Sequence, residues 1–204
     1  MTRKFLKEVY DLKTRGDVQE YYNAWAESYD AEVAANGYAT PGRCAEALQS
    51  VGVPSDAAIL DLGCGTGLSG LAMRAQGFTT IDGTDLSPGM LSQAEMRNVY
   101  RTLFASTAGS PPDITPGDYD VIAAVGVIGT GAAPASLLDV AIGLLATGGK
   151  VVFSFNDHTL KIPEFPERLA AHRGSGLVRT LYEENGPHLP GINMNSTVYI
   201  LEKT

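Results

Sequence analysis

The run Ala57-Ala58-Ile59-Leu60-Asp61-Leu62 is apolar at all but one position and leads directly into Gly63-Cys64-Gly65-Thr66-Gly67. A run without polar alternation suits a strand covered on both faces. Three glycines at alternating positions behind it permit a tight turn and let backbone N–H groups approach a ligand, and the helix start that follows offers unpaired donors. A strand covered on both faces needs helices on both sides of its sheet, so this segment points to an α/β architecture. In a doubly wound sheet the carboxyl end of the first strand is also where ligands bind.

The alternation continues along the chain. Residues 78–86 (FTTIDGTDL), 119–128 (YDVIAAVGVI) and 148–155 (GGKVVFSF) are further strand-like runs. Between them Thr66 or a neighbour can cap a helix to about Gln76, Ser87-Pro88 is an N-cap and first-turn pair, and Pro134 opens a helix that ends at Gly148-Gly149. The expected fold is a doubly wound, mainly parallel sheet. Residues 176–184 and 196–203 are joined by a Gly- and Pro-containing loop and read as an antiparallel hairpin on the sheet edge. Ahead of the sheet, Asp17 can cap a helix on which Val18, Tyr21, Tyr22, Trp25, Tyr29 and Val33 form one apolar face, and Thr40-Pro41 open another helix to about Ser50. The 204 residues are therefore expected to form one domain: a helical cover at 1–50, a core at 57–155 and a closing segment with the hairpin at 156–204.

Fifteen Lys and Arg against twenty-three Asp and Glu leave a formal charge of −8, and no Lys or Arg occurs between Arg101 and Lys150. A field of that sign repels polyanions, which argues against nucleic acid and anionic membranes as partners. Two cysteines, Cys44 and Cys64, are too few for a disulfide framework or a Cys-rich zinc site, so no metal is expected and a reducing compartment fits. The first residues lack an apolar segment behind their basic ones and the longest apolar run is Val121 to Ile128. A soluble cytoplasmic protein is the expectation.

Asp85 ends the second strand-like run, about 20 residues past the glycine turn. One carboxylate has two acceptor oxygens and can take both hydroxyls of a ribose, which points to a nucleoside-containing cofactor. A nicotinamide dinucleotide is the main rival, because Gly65, Gly67 and Gly70 fit G-x-G-x-x-G with Asp85 at the right distance. That fingerprint normally starts at the strand end, whereas here Gly63-Cys64 intervene and Asp61 stands in the strand tip. The only Tyr-x-x-x-Lys, Tyr199 to Lys203, reads as edge-strand surface.

At these residues the chain resembles the class I S-adenosylmethionine-dependent methyltransferases. ILDLGCGTG resembles the family's first motif, IDGTDLSPGML its second, and YDVIAAVGVI with ATGGKVVFSF its fourth and fifth strands. Residues 22–30 (YNAWAESYD) and the closing hairpin are similar to the small methyltransferase-like proteins named after the Williams-Beuren syndrome region. The resemblance implies a seven-stranded Rossmann-like sheet, S-adenosylmethionine as cofactor, and in-line transfer of its methyl group. It implies that Asp61, Gly63, Cys64, Gly65 and Gly67 hold the methionine side of the cofactor, that Asp85 takes the ribose, and that Leu86 packs on adenine. Val125 and Gly126 match the strand-four end near the sulfonium, and Tyr22 or Tyr29 would cover the amino-acid end. An acid that many members carry after the third strand is missing from Phe104-Ala105-Ser106-Thr107, leaving Ser106 as its substitute.

His158, next to strand five, is the first candidate for a general base, His188 in the hairpin loop the second, and His172 reads as helix surface. Arg43 reads as a solvated helix residue rather than a cofactor contact. Val127-Ile128-Gly129-Thr130 stands where amide and exocyclic-amine methylases carry their Pro-Pro tetrad, which disfavours DNA bases as acceptors. A small-molecule acceptor is the expectation. A nicotinamide-dependent oxidoreductase and a catalytically inactive S-adenosylmethionine-binding regulator stay open beside it, as does the oligomeric state.

Overall fold

The computed structural model describes residues 5–9, 15–107 and 113–204. Seven strands, β1 (Ala58–Leu62), β2 (Thr80–Asp85), β3 (Thr102–Ala105), β4 (Val121–Ala124), β5 (Lys150–Asn156), β6 (Val178–Leu189) and β7 (Met194–Lys203), form one sheet in the order β3-β2-β1-β4-β5-β7-β6. The first five run parallel, β7 pairs antiparallel with β5, and β6 pairs antiparallel with β7. The strand order reverses between β1 and β4, which opens a crevice at their carboxyl ends.

Eight helices accompany the described strands: α1 (Phe5–Glu8), α2 (Arg15–Trp25), α3 (Tyr29–Ala35), α4 (Thr40–Ser50), α5 (Leu68–Ala75), α6 (Pro88–Glu95), α7 (Leu137–Gly143) and α8 (Glu164–Gly174). Successive residues of a strand face opposite sides. Ile59 packs with Leu48, Met73 and Ile81 on one side of the sheet, and Leu60 packs with Ile122, Leu138 and Phe153 on the other; all are buried. That two-sided cover is what the unbroken apolar runs anticipated. Among the described residues no helix is long and apolar enough to cross a membrane.

Several local features differ from expectation. The single N-terminal helix is two: α2 starts at Arg15, before Asp17, and stops at Trp25, where the Ser28 amide turns back to the Trp25 carbonyl at 3.0 Å. Of Thr66 and its neighbours it is Gly67, in the left-handed region, that takes the N-cap of α5, as the wider expectation allowed, while the Thr66 hydroxyl donates to Asp30 Oδ1 at 2.6 Å. Ser87 does cap α6, accepting the Met90 amide at 3.1 Å. Strand β4 ends at Ala124, short of residue 128, and α7 starts at Leu137, after Pro134.

The hairpin is longer than its sequence signal, with its turn at Pro190–Ile192. Strand β7 lies inside the sheet and β6 takes the edge. Tyr199 is therefore buried and stacked on Phe153 at 5.0 Å between ring centroids, not edge surface. Lys203 Nζ donates to the carbonyls of Ile142 and Leu145 at the end of α7, where a cation also suits the helix dipole.

Tyr100 wedges the ring between α5 and β2. A Cβ added at Gly70 would meet its ring and hydroxyl at 2.5 Å. Gly70→Ala is therefore expected to lower stability by about 1–3 kcal/mol, as overpacking does. Urea unfolding measures this, and an unchanged midpoint would mean the ring moves aside without cost.

Candidate functional site

The carboxyl ends of β1, β2 and β4 border a cavity of about 300 Å³. Tyr22, Tyr29, Gly63, Cys64, Gly65, Asp85, Leu86, Ser106, Val125 and Gly126 all line it. Thus the structure brings together ten of the residues singled out from sequence. Gly67, Asp61 and His158 are outside its lining.

The turn after β1 is held by the end of β2. Gly63 has φ +79°, a backbone conformation that side chains disfavour, and a Cβ there would lie 2.4 Å from Val127. The amides of Gly63 and Cys64 donate to the Thr84 carbonyl at 2.8 and 3.0 Å, and the Gly65 amide donates to Asp85 Oδ2 at 2.9 Å. The three amides expected to face a ligand therefore face the neighbouring strand end. Asp85 Oδ1 accepts the Ser87 amide at 2.8 Å. Each carboxylate oxygen keeps a further lone pair for a ligand donor. Burial raises the Asp85 pKa above the ordinary carboxylate value, against the backbone hydrogen bonds from Ser87, Gly65 and Leu86.

Asp61 sits behind the turn, fully buried. Its Oδ2 accepts the Ser69 hydroxyl at 2.5 Å and the Tyr100 hydroxyl at 2.7 Å, while Oδ1 has no partner among the described residues. Burial pushes its carboxyl up to about 6, and the Ser69 and Tyr100 hydroxyls limit the rise. Burial likewise raises the Cys64 thiol, so no thiolate lines the cavity at neutral pH.

The N-terminal helices roof the cavity through polar pins. Gln19 Nε2 donates to the Leu86 carbonyl at 2.7 Å, and Asn23 Oδ1 accepts from the Ser87 hydroxyl at 2.5 Å and the Gly89 amide at 3.0 Å. Asp30 accepts from Thr66 and pairs with Arg97, whose Nε donates to the Thr66 carbonyl. Gln19, Tyr38 and Tyr100 were missed by sequence reasoning. For Tyr100 the only trace was indirect, the missing side chains at Gly70 and Gly83 where its ring lies.

The histidines fall differently from expectation. His158 is exposed and outside the cavity, its amide donating to Asn156 Oδ1 at 3.1 Å. His188 belongs to β6 and not to a loop; it is buried, with Nδ1 2.7 Å from Thr40 Oγ1, and burial lowers its pKa to about 4. His172 joins α8 to α7, with Nε2 2.7 Å from Asp139 Oδ1. Arg43 is not solvated helix surface: it donates to the carbonyls of Ser196 at 2.9 Å and Glu184 at 2.8 Å, tying α4 to the hairpin.

No Lys, Arg or His lines the cavity among the described residues, and Asp85 is acidic. A pyrophosphate would find no cation there, and the turn amides that could replace one are engaged. The geometry favours a cationic or neutral nucleoside over a dinucleotide.

The methyltransferase-domain family matches residues 37–185. Human methyltransferase-like protein 27 is 38% identical over 121 residues, 58% of this chain and 49% of that protein. The bovine 18S rRNA (guanine-N(7))-methyltransferase is 33% identical over 84 residues, 40% of this chain and 30% of that one. The chain thus spans about half the length, or less, of these relatives. A solved S-adenosylmethionine-dependent methyltransferase from Thermotoga maritima, described as a possible histamine N-methyltransferase, superposes with a TM-score of 0.63 at 16% identity, over 92% of this chain and 100% of that one. The expected sheet is the fold this chain shares with that solved structure. The bovine relative acts on ribosomal RNA, which overturns the restriction to small molecules and the exclusion of nucleic acid. Net charge sums a whole surface, whereas an acceptor is met by one patch.

The buried acid and the buried histidine set opposite pH dependences. Asp61 is raised from 3.8 to about 6, so its contribution to stability is full below about pH 4 and lost as pH rises to about 6. His188 is lowered from 6.5 to about 4, so its contribution is full above about 6.5 and lost as pH falls to about 4. Two pKa units correspond to roughly 3 kcal/mol. Urea unfolding across pH 4–7 should show Asp61→Asn gaining on the parent as pH rises and His188→Gln gaining as pH falls; parallel curves would contradict both assignments.

Proposed function

The chain belongs to the methyltransferase-domain family, and on that premise we propose that it moves a methyl group from S-adenosylmethionine to an acceptor nucleophile at the carboxyl end of β4. The observation that carries this reading is Asp85 at the rim of a cavity with no cationic lining among the described residues. Three features fit the cofactor. Asp85 has spare lone pairs for two ribose hydroxyls; a Cβ at Gly65 would meet no protein atom, so the cavity comes up to the backbone there; and the buried Asp61 Oδ1 has no partner among the described residues.

When bound, S-adenosylmethionine supplies a methyl group already activated on a cationic sulfur. What is left for the chain is to bind, orient and exclude water, and good orientation alone is worth effective molarities of about 10⁵–10⁸ M. Asp85 holds the ribose, and Leu86, on the same rim, packs on adenine. Ser106 borders the adenine side, with its amide fixed to the Asp85 carbonyl at 2.9 Å. Asp61 acts from behind the turn: its negative charge favours a cationic ligand in front, and its bond to Ser69, a lining residue, orients that hydroxyl. Val125 and Gly126 shape the reacting end, and Tyr22 and Tyr29 close it from above. His158 has no part in this reading, since the cavity lining does not include it.

Calorimetry with S-adenosylhomocysteine tests the cofactor. The parent should bind it and not NADH, and Asp85→Ala should lose roughly 10- to 150-fold in affinity, the equivalent of charge-assisted hydrogen bonds worth about 1.5–3 kcal/mol. A folded Asp85→Ala protein that binds as well as the parent would remove the ribose assignment. Transfer from methyl-labelled cofactor should mark a component of either an RNA or a metabolite extract, and absence of label in both would sink the enzymatic reading.

A further inference from the structure

Beside the large cavity is a smaller chamber of about 50 Å³, and the two share Tyr22, Tyr29, Tyr38, Gly126 and Ala132 as a partition. Besides those tyrosines, the chamber's polar lining residues are Trp25, Thr130, Ser154, Asn156 and His188. Most of those groups are accounted for. Ser154 Oγ accepts the Gly126 amide at 3.2 Å, Asn156 Oδ1 accepts the amides of His158 and Thr159, and His188 is tied to Thr40. Two are not: Trp25 Nε1 and Thr130 Oγ1 are buried and have no partner among the described residues.

An indole N–H can only donate, and Trp25 is 2% exposed, so nothing in bulk water satisfies it. Buried polar groups are ordinarily hydrogen-bonded, and two unpartnered groups able to donate in the lining of one chamber suit a ligand with lone pairs. No Asp, Glu, Lys or Arg lines the chamber, and burial keeps His188 neutral at neutral pH. A charged group would enter without a counter-charge and at full desolvation cost. The volume admits a few heavy atoms, with the larger cavity next to it to take the remainder of a bigger molecule.

We propose that this chamber recognises the methyl acceptor, seating a compact uncharged head group whose lone pairs accept from Trp25 Nε1 and Thr130 Oγ1. The assignment rests on the methyl-transfer reading above and adds a chemical class to it. The acceptor carries a carbonyl, amide or similar oxygen or nitrogen close to its nucleophilic atom. Trp25 and Thr130 are specificity-determining residues, and Tyr38, whose hydroxyl lies directly over Gly126, stands in the partition between the two spaces.

The chain has a single tryptophan, so the indole N–H gives one signal in a ¹⁵N correlation spectrum. Protein saturated with S-adenosylhomocysteine is titrated with acetamide, and separately with acetate and methylammonium. Acetamide should move the indole proton downfield along a saturable curve, the two ions should leave it in place, and Thr130→Val should weaken acetamide binding at least three-fold while S-adenosylhomocysteine affinity stays within two-fold. An indole signal insensitive to acetamide, as an immobile water holding both donors would give, overturns the assignment. So does an equal response to methylammonium, or an unchanged acetamide affinity in a folded Thr130→Val protein. If S-adenosylhomocysteine binds and acetamide does not, the chamber assignment alone fails; if S-adenosylhomocysteine does not bind, the methyl-transfer reading fails with it.

Discussion

The end of β2 holds the turn after β1: the Thr84 carbonyl takes two consecutive amides and Asp85 the next. Three hydrogen bonds from one strand end to one loop hold the turn where Gly65 faces open space and a hollow remains in front. The same carboxylate that supports the loop borders that hollow, so the residue that would meet the ribose is positioned by the structure it supports. Behind the turn, Asp61, Ser69 and Tyr100 form a second buried network that keeps α5 against β1 and β2. An acid without its second partner is costly to bury, and such a cost is characteristic of sites that bind something.

The cover over this hollow is apolar in bulk and polar in its fixings. Phe5, Tyr21, Trp25 and Val33 pack with Leu189 and Met194 of the hairpin, which binds the first helices to the last strands. Burying aromatic surface is non-directional and does not choose a register. Direction comes from Gln19, Asn23 and Asp30, each bonded to the loops after β1 or β2 or to the residues following α6. The large cavity and its cover thereby share their supports, and the smaller chamber lies where the two meet.

The charge pattern has a local meaning and a global one, and they diverge. Locally, an acidic cavity without cationic lining among the described residues selects for a positively charged or neutral nucleoside and against a pyrophosphate. Globally, a net charge of −8 repels polyanions, yet a relative of this chain acts on ribosomal RNA. A sum over all side chains has no spatial information, and recognition of an acceptor needs only one surface of suitable sign.

Unbroken apolar runs, the alternation of strand and helix signals, the glycine turn and the acid at the next strand tip were local properties, and they determined the parallel α/β architecture and placed the 63–65 turn and Asp85 at the cavity, while Tyr22, Tyr29, Leu86, Ser106, Val125 and Gly126 came from the resemblance to the methyltransferases. Each depends on neighbours close in sequence, where periodicity and turn chemistry act. Contacts between distant segments were decided only by the tertiary structure. The Thr66 hydroxyl turned to Asp30, Arg43 found hairpin carbonyls, and His188 became a buried strand residue while His158 stayed outside. The interior place of β7 beside the edge strand, the wedge at Tyr100 and the orphan donors of Trp25 and Thr130 belong to the same class. A side chain's partner depends on which far segments pack beside it, and pattern within a short window carries no record of that.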